Sequence, residues 1–464
     1  MNLNQGEKEM NIYRSSAGDN RRARWHRRTL AVAACASLVS LSVVSAGIGA
    51  TSASASKKPT LTIWYDTARK AMVQAYEKAH PNVHVVAVLK DGDSNGDGTY
   101  QSAFALYNRV GHGWPDIYFS EQNNDAASLA QAPFNDAAVL NKGLVSKSTL
   151  SKFAHGSASL CTIGGKVYCL RNDLAMNVLW YNPTLMAQDG ITSVPTTWQE
   201  WAADGALAAA KGDIIGTQGD SWDADTYYWG NECPLSKETS PGTLLINPAS
   251  TNCTEMASLL DGVSRTALPV AYMFSSTFGQ QYGGKIVFYP GASWMGGVFP
   301  GLGSCTAANP DCKMAAAYPM TFGASGPAVT GAIGGGLWFV SSHSKNLKLA
   351  ASALVWLDTS LTSQKLSPGF PAYGPDDAPW VATQNASGSY ASPLSGQPTL
   401  SQAFNKAANE IWSGWSAVPY ANDQIWASDI VPSLATGGTQ AAALGVFATD
   451  ASNLARSDGF QVHS

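Results

Sequence analysis

The chain has 464 residues, of which 45% are hydrophobic and only 13% are charged, and its formal net charge is −4. A chain of this length exceeds what one hydrophobic core usually holds, so we expect two domains. The acidic balance, without a basic stripe, argues against nucleic acid or an anionic membrane as a partner.

Residues 1–55 have the pattern of a secretory signal peptide. A basic segment that ends at Arg28 precedes an apolar run at 30–44 and an Ala-x-Ala motif at 53–55. The apolar run is shorter than the ~18 residues that a membrane-spanning helix needs. Cleavage would remove seven of the 29 basic and three of the 33 acidic residues, which leaves 22 against 30 and a charge of −8. We therefore expect an exported protein, extracellular or associated with the cell surface, whose export route (general or twin-arginine) stays open.

The segment after the leader predicts strands that alternate with helices. We expect strands at 61–64, 83–89 and 116–119, an amphipathic helix after the first strand, and a second helix from Tyr100 to Val110. This alternation is typical of parallel βαβ units, which begin an α/β sheet.

Later segments predict further strands and helices in mixed order. The expected strands lie at 177–181, 285–289 and 336–340. The expected helices lie at 201–210, capped by Thr196 or Thr197, at 347–357, and from about residue 400 onward. No long low-complexity linker divides the chain, so we expect discontinuous domains between which the chain crosses several times.

Six of the seven cysteines lie beyond the leader, as three pairs of near neighbours: Cys161 with Cys169, Cys233 with Cys253, and Cys305 with Cys312. An oxidising compartment favours three local disulfides, although other pairings stay open. Zinc is disfavoured because none of the pairs has C-x-x-C spacing. A two-residue turn at Gly164 and Gly165 would set Cys161 opposite Tyr168, so we expect the first disulfide to need a three-residue loop or a bulge.

Several segments carry a family resemblance. They are TIWYD at 62–66, AYEKAHPNVHVV at 75–86, WPDIYFS at 114–120, GGKVYCL at 164–170, PTTWQEW at 195–201, YPGASW at 289–294 and the C-terminal GGTQAAALGVFATDA at 437–451. In this order the chain resembles the extracellular solute-binding proteins of ABC importers, of the maltose-binding-protein-like type. The match runs from residue 61 to about 460.

The resemblance implies an α/β, two-lobe fold of the periplasmic-binding-protein type, with a ligand cleft between discontinuous lobes. The implied N-terminal lobe is 56–172 plus 328–362, and the C-terminal lobe is 173–327 plus 363–464. It also implies a monomeric protein that is not an enzyme. Such a protein captures a sugar and delivers it to the permease subunits of an importer.

Candidate ligand-binding residues lie on or directly after predicted strands, near an expected crossover between the domains, or in a loop where aromatic and acidic residues alternate. Open α/β sheets bind ligands beyond the carboxyl ends of their strands. The candidates are Trp64, Asp66, Glu121, Asn123, Asn177, Trp222, Asp223, Trp229, Trp294 and Trp338. Flat rings beside carboxylates and amides suit a sugar, because rings stack on its C–H face while polar groups bind the hydroxyls at its rim.

The sequence D-x-D-x-N-G-D resembles the first half of an EF-hand loop. It consists of Asp91, Asp93, Asn95, Gly96 and Asp97, and Ser102 stands where a bidentate acid is expected. A structural calcium and a polar surface turn both stay open. No other cofactor is expected.

Two further functions stay open. A secreted glycoside hydrolase or lyase with an aromatic cleft would require two placed carboxylates, one with a raised pKa, and a pair such as Asp223 and Asp225 is available. A ligand sensor that signals to a membrane receptor could use the same fold.

Overall fold

In the computed structural model of the chain, the described residues are 58–463 without 94–95, 97, 155–156, 303–311, 415–417 and 419–421. The described residues from Pro59 onward belong to one unit. The predicted leader lies outside the described residues. In the part of the chain that is described, no helix combines the length and the apolar character needed to cross a membrane.

The described strands are short and mostly buried. They are β1 (Thr60–Tyr65), β2 (His84–Leu89), β3 (Ile117–Ser120), β4 (Thr162–Ile163), β5 (Lys166–Val167), β6 (Cys169–Arg171), β7 (Asp173–Leu174), β8 (Asn177–Tyr181), β9 (Ser236–Ser240), β10 (Thr243–Ile246), β11 (Phe288–Ala292), β12 (Ala315–Ala317), β13 (Leu337–Val340), β14 (Phe370–Pro371) and β15 (Gln461–His463).

The described α-helices cover these sheets. They are α1 (Lys70–Ala79), α2 (Thr99–Val110), α3 (Asp125–Ala130), α4 (Lys147–Leu150), α5 (Pro183–Asp189), α6 (Trp198–Lys211), α7 (Thr251–Gly262), α8 (Ser276–Tyr282), α9 (Leu347–Thr359), α10 (Leu361–Gln364), α11 (Asp377–Ser387), α12 (Leu400–Asn409), α13 (Asn422–Ile425), α14 (Val431–Ala435) and α15 (Gln440–Ser457). Helix α6 begins at a capping box in which Thr197 accepts from the backbone of Glu200, as the sequence predicted for Thr196 or Thr197.

The first sheet has five strands in the order β2-β1-β3-β13-β6. Strand β1 pairs in parallel with both β2 and β3, which confirms the βαβ units predicted from the alternation. Strand β13 is antiparallel to β3 and to β6. The carboxyl ends of β1 and β3 therefore lie side by side at one edge of this sheet.

The second sheet has β8 in the middle, antiparallel to β11 and β12. Alternate side chains of β8 enter two different clusters of buried apolar residues: Val178 and Trp180 join the cluster around the first sheet, and Leu179 and Tyr181 join the other. The strand expected at 285–289 begins only at Phe288, because Ile286 pairs as an isolated bridge with Ile214 rather than with β8.

The chain passes between the two sheets more than once. It leaves the first sheet after β6 and enters the second at β8, and it returns between β12 and β13. In the first passage, β7 pairs with β14. Such repeated passages are what a discontinuous arrangement of domains requires. The lobe boundaries given above stay a prediction.

Two of the three predicted disulfides are present, Cys161–Cys169 and Cys233–Cys253. The expectation that the first would need a three-residue loop or a bulge was wrong. Strands β4 and β5 are joined by a two-residue turn at Gly164 and Gly165, both with positive φ. The bridge still forms because the hairpin ends at Tyr168 and Cys169 begins β6 in another sheet. Cys312 is disulfide-bonded, and its predicted partner Cys305 lies outside the described residues.

Candidate functional site

A buried arginine lies at the carboxyl end of β1. The Arg69 guanidinium is 2.9 Å from Asp66 through Nη1, 2.9 Å from Asp173 through Nη2, and 3.3 Å from Glu121. It also lies over the Phe119 ring, 4.1 Å from the centroid. We call these four charged residues the arginine network. It joins the residues that follow β1 and β3 to the first passage between the sheets.

The arginine network was not predicted, although two of its carboxylates were candidates. Burial alone would lower the pKa of Arg69, but the carboxylates of Asp66, Asp173 and Glu121 raise it far above its ordinary value. Burial, with the charge of Asp66, raises the pKa of Glu121 well above its usual range, against the opposing effect of Arg69. Asp66 is thus bound to a neighbour, while the Glu121 side chain is still one quarter exposed.

Asn123 and Arg171 hold a connecting segment, residues 332–334, that precedes β13. Asn123 Nδ2 donates to the Ala332 carbonyl at 3.2 Å, and Arg171 Nη2 donates to the Gly334 carbonyl at 2.8 Å. Arg171 is buried, and this burial lowers its pKa to about 10. The loop after β3 therefore contacts the connecting segment directly.

The same segment is also contacted by Trp294, which follows β11. Trp294 Nε1 donates to the Ile333 carbonyl at 3.1 Å. Since Asn123 contacts the adjacent residue Ala332, the loop after β3 and the tryptophan after β11 lie on the same short segment. Two predicted candidates from distant parts of the chain are thus brought together.

Trp294 belongs to a group of four aromatic rings. Trp222 is 6.3 Å from Trp294, 6.0 Å from Phe274 and 6.0 Å from Tyr272 between ring centroids. Phe274 is stacked with Trp294 at 6.1 Å. We call these four residues the aromatic group. They are only partly buried, and Tyr272 is 41% exposed. An apolar surface of this kind is typical of a ligand site.

Sequence reasoning found half of the aromatic group. Trp222 and Trp294 were candidates, whereas Tyr272 and Phe274 were missed. They stand on either side of the buried Met273, in an irregular segment without a strand or helix pattern. The signal available in the sequence was a pair of aromatic residues separated by one apolar residue.

Four carboxylates, the acidic group, are associated with this aromatic surface: Asp220, Asp223, Asp225 and Asp423. Asp220 accepts hydrogen bonds from the Met273 N–H at 2.8 Å and from the Tyr289 hydroxyl at 2.7 Å. Burial raises the pKa of Asp220 to about 7 and that of Asp423 to about 6. Burial and neighbouring carboxylates raise the pKa of Asp223 and Asp225 well above the ordinary range.

Asn177, another candidate, is committed to the backbone. Its side-chain Nδ2 donates to the backbone carbonyl of Asp225 at 2.9 Å, and its backbone carbonyl accepts from Thr330 Oγ1 at 2.8 Å. Asn177 is 6% exposed. It positions the turn that carries Asp225 against the strand β8.

Three candidate tryptophans lie in the hydrophobic core. Trp338 is fully buried on β13 and packs edge-on against Phe119. Trp64 is 5% exposed, and Trp229 is 3% exposed. We leave these three rings out of the proposed contact surface because a ligand would have to displace packed side chains to reach them.

The predicted calcium loop is described only in part, since Asn95 and Asp97 lie outside the described residues. Asp93 accepts from the Thr99 N–H at 3.0 Å, and Asp91 accepts from the Asp93 N–H at 3.1 Å. Within the described residues, no group of three or more His, Cys, Asp or Glu side chains is placed to hold a metal ion. The calcium site stays a prediction.

Residues 58–236 match the family model described as bacterial extracellular solute-binding protein. The resemblance seen in the sequence is therefore confirmed over that part of the chain. None of the curated proteins that were compared with the chain matches it.

Solved structures with the same fold cover most of the chain. The galacto-N-biose-/lacto-N-biose I-binding protein of an ABC transporter from Bifidobacterium longum, in complex with lacto-N-biose, is 18% identical with a TM-score of 0.68, covering 87% of this chain and 98% of that one. The GacH receptor of Streptomyces glaucescens, solved unliganded and with acarbose, is 17% identical with a TM-score of 0.62, covering 86% and 99%. The sugar-binding protein MalE from Xanthomonas citri is 14% identical with a TM-score of 0.64, covering 86% and 98%. At these identities the likeness shows the fold, and the predicted two-lobe α/β class is confirmed.

Proposed function

We propose that this chain is the extracellular substrate-binding component of an ABC import system, and that it captures an oligosaccharide and presents it to membrane permease subunits. The observation that carries the proposal is the aromatic group beside the loop after β3. Trp294 and Asn123 contact neighbouring residues of one short segment, so apolar rings and polar side chains converge on the same place. The family match and the fold of the similar structures support the proposal.

The proposed contacts divide by chemistry. The partly exposed rings of Trp222 and Trp294 would stack on the faces of sugar rings, since such rings are otherwise left against water. Glu121, with a quarter of its side chain exposed, would accept from a sugar hydroxyl. Asp66 would act through Arg69, by holding the arginine network in position.

We also propose that the chain is not an enzyme. Glycoside hydrolysis needs two carboxyl groups that reach the scissile bond and a water molecule. The pair that the sequence offered, Asp223 and Asp225, is 2% and 5% exposed, which disfavours that role. Incubation of an oligosaccharide with the protein should return it uncleaved when the sugar is examined by chromatography.

A thermal-shift screen against monosaccharides and oligosaccharides tests the binding proposal. A ligand that binds only the folded protein, at 100 times its dissociation constant, adds about 2.7 kcal/mol to the free energy of unfolding. We expect at least one neutral or amino oligosaccharide to raise the melting temperature, and simple salts to leave it unchanged. A screen in which no sugar raises it would contradict the proposal.

A further inference from the structure

Two acids of the arginine network are well supported as carboxylates. Asp66 and Asp173 each lie 2.9 Å from a different nitrogen of the Arg69 guanidinium. Asp66 also accepts from the backbone N–H of Arg69 at 2.9 Å. Asp173 also accepts from the backbone N–H of Gly336 at 2.9 Å. Donors of this kind favour the ionised form of a carboxyl group, so the chain itself stabilises both negative charges.

Glu121, the third acid of the network, has much weaker support for a negative charge. Its donor, Arg69 Nη1, is 3.3 Å away and is shared with Asp66. Within the described part of the chain, no other N–H group or hydroxyl hydrogen-bonds to its side chain. The second buried arginine, Arg171, acts on Asp173. One guanidinium is thus left with three acids, and the raised pKa of Glu121 agrees with this geometry.

Glu121 is also the acid of the network that reaches the proposed binding surface. Its side chain is 25% exposed, against 7% for Asp66 and 5% for Asp173. Its backbone carbonyl approaches the connecting segment, since a Cβ atom at Gly334 would be 3.8 Å from that oxygen. The same segment accepts the hydrogen bond of Trp294. A sugar held between Trp294 and the loop after β3 would therefore cover the Glu121 carboxyl group.

Covering this carboxyl group favours its neutral form. A sugar hydroxyl that bonds to Glu121 replaces a water molecule that did the same, so the number of hydrogen bonds stays the same. The remaining contact with solvent is lost. Loss of water disfavours the charged form, and the carboxylates of Asp66 and Asp173 already lie against the same guanidinium. A third negative charge is therefore less stable in the complex than in the free protein.

Building on the proposed function, we propose that Glu121 contacts the sugar as a neutral carboxyl group, and that the protein takes up a proton there when it binds the sugar with Glu121 ionised beforehand. The proton comes from solvent. The O–H of Glu121 donates to Asp66, and its carbonyl oxygen accepts from a sugar hydroxyl. Sugar affinity therefore falls as the pH rises.

Several charged groups surround Glu121, so its own effect has to be isolated by substitution. They are Asp66 and Arg69 between β1 and α1, Asp91 and Asp93 beside Gly92 before α2, Arg171 on β6, and Asp173 on β7. Glu121→Gln keeps the shape of the side chain and cannot ionise. Glu255→Gln, at an exposed position on α7, is the matched control.

Urea denaturation without ligand tests whether Glu121 holds a proton in the free protein. An acid whose pKa is raised by folding stabilises the protein less as the pH rises through that pKa. The unfolding equilibrium constant of the parent divided by that of Glu121→Gln should therefore rise at least about tenfold from pH 5.5 to pH 8.5. The same ratio taken with Glu255→Gln should stay constant. A constant or falling ratio for Glu121→Gln overturns the inference.

Calorimetric titration tests whether sugar binding takes up the proton. The probes are the neutral trisaccharides maltotriose, cellotriose and raffinose, each titrated in two buffers that differ in ionisation enthalpy. For a sugar that binds, we expect uptake of up to about one proton and an affinity that falls by up to about tenfold per pH unit. Glu121→Gln should lose both effects, and Glu255→Gln should keep them. Proton release, or an affinity that rises with pH, shows that Glu121 binds as a carboxylate and overturns the inference.

The outcomes distinguish this inference from the proposed function. Sugar binding without proton uptake, or with the same uptake in Glu121→Gln as in the parent, overturns the inference and leaves the proposed function standing. If no sugar binds in this titration or in the wider thermal-shift screen, both are contradicted.

Discussion

The molecule buries carboxylates in two regions and treats them in opposite ways. In the arginine network, three carboxylates surround one buried guanidinium. In the acidic group, four carboxylates have no Lys or Arg within ion-pair distance among the described residues. In the first region Arg69 compensates the charge of the carboxylates, whereas in the second burial raises the pKa of the carboxyl groups, to about 7 for Asp220 and about 6 for Asp423. The two regions thus differ in how the chain offsets the burial of an acid.

The largest expected effect comes from removing the charge at the centre of the arginine network. Arg69→Met leaves the buried Asp66 and Asp173, and the partly exposed Glu121, without a counter-charge, which should lower the free energy of unfolding by about 3–5 kcal/mol. Urea denaturation measures this loss. The adjacent exposed Lys70→Met should be nearly neutral. If Arg69→Met lowered the free energy of unfolding by less than about 1 kcal/mol, as expected for an exposed ion pair, Arg69 would not be compensating buried charge. The contrast between the two regions would then be wrong.

The disulfides come next, one in each of the two clusters of buried apolar residues. Replacing both Cys233 and Cys253 with alanine opens a crosslink with a sequence separation of 20, and replacing Cys161 and Cys169 opens one of 8. Chain entropy predicts that the free energy of unfolding falls by about 3 kcal/mol without Cys233–Cys253, and by somewhat less without Cys161–Cys169. Denaturation of the two double variants in parallel measures the difference. Free thiols at either pair in the unreduced protein would contradict the assignment.

Asp220 of the acidic group should contribute to the pH dependence of stability. The pKa of Asp220 is about 7 in the folded protein against an ordinary value of 3.8, so its contribution is complete below about pH 4 and is lost as the pH rises through 7. Asp220→Asn removes this dependence. The free energy of unfolding of the variant minus that of the parent should therefore increase from pH 4.5 to pH 7.5. Urea denaturation at both values checks the direction. A variant that loses stability relative to the parent over this interval would reverse the sign and refute the raised pKa.

The smallest expected effect concerns the predicted calcium loop. If the turn around Asp91 and Asp93 binds calcium, millimolar Ca²⁺ should raise the melting temperature relative to chelator, and Asp93→Ala should abolish that rise. Equal melting temperatures of the parent in calcium and in chelator would leave only the surface-turn interpretation.

Local patterns predicted the first sheet well because its strands and helices follow one another in the chain. The β1-α1-β2-α2-β3 order and the parallel pairing follow from periodicity alone. Strand β13 also occurs where a strand was expected, but its antiparallel insertion between β3 and β6 depends on contacts distant in sequence.

The site was predictable where a residue follows a strand or where aromatic and acidic residues alternate in a loop. Trp294 and Glu121 were found in the first way, and Trp222 in the second. Arg69 was missed because its partner Asp173 lies 104 residues away, and no local pattern connects them. Trp338 was a candidate because it lies on a predicted strand near the site, but sequence does not tell which face of that strand is covered; its ring is fully buried.

The most direct test of the binding account is calorimetric titration of Trp294→Ala with the sugar found by screening. Removing a stacked ring should weaken binding by ~1–3 kcal/mol, roughly five- to 150-fold. Trp294→Phe should lose less affinity because it keeps an aromatic ring. It gives up only the hydrogen bond to the Ile333 carbonyl. Tyr318→Ala, at an exposed aromatic residue outside the aromatic group, is the control and should bind like the parent. If folded Trp294→Ala, checked by circular dichroism, binds as tightly as the parent, the aromatic group is not the sugar-binding surface.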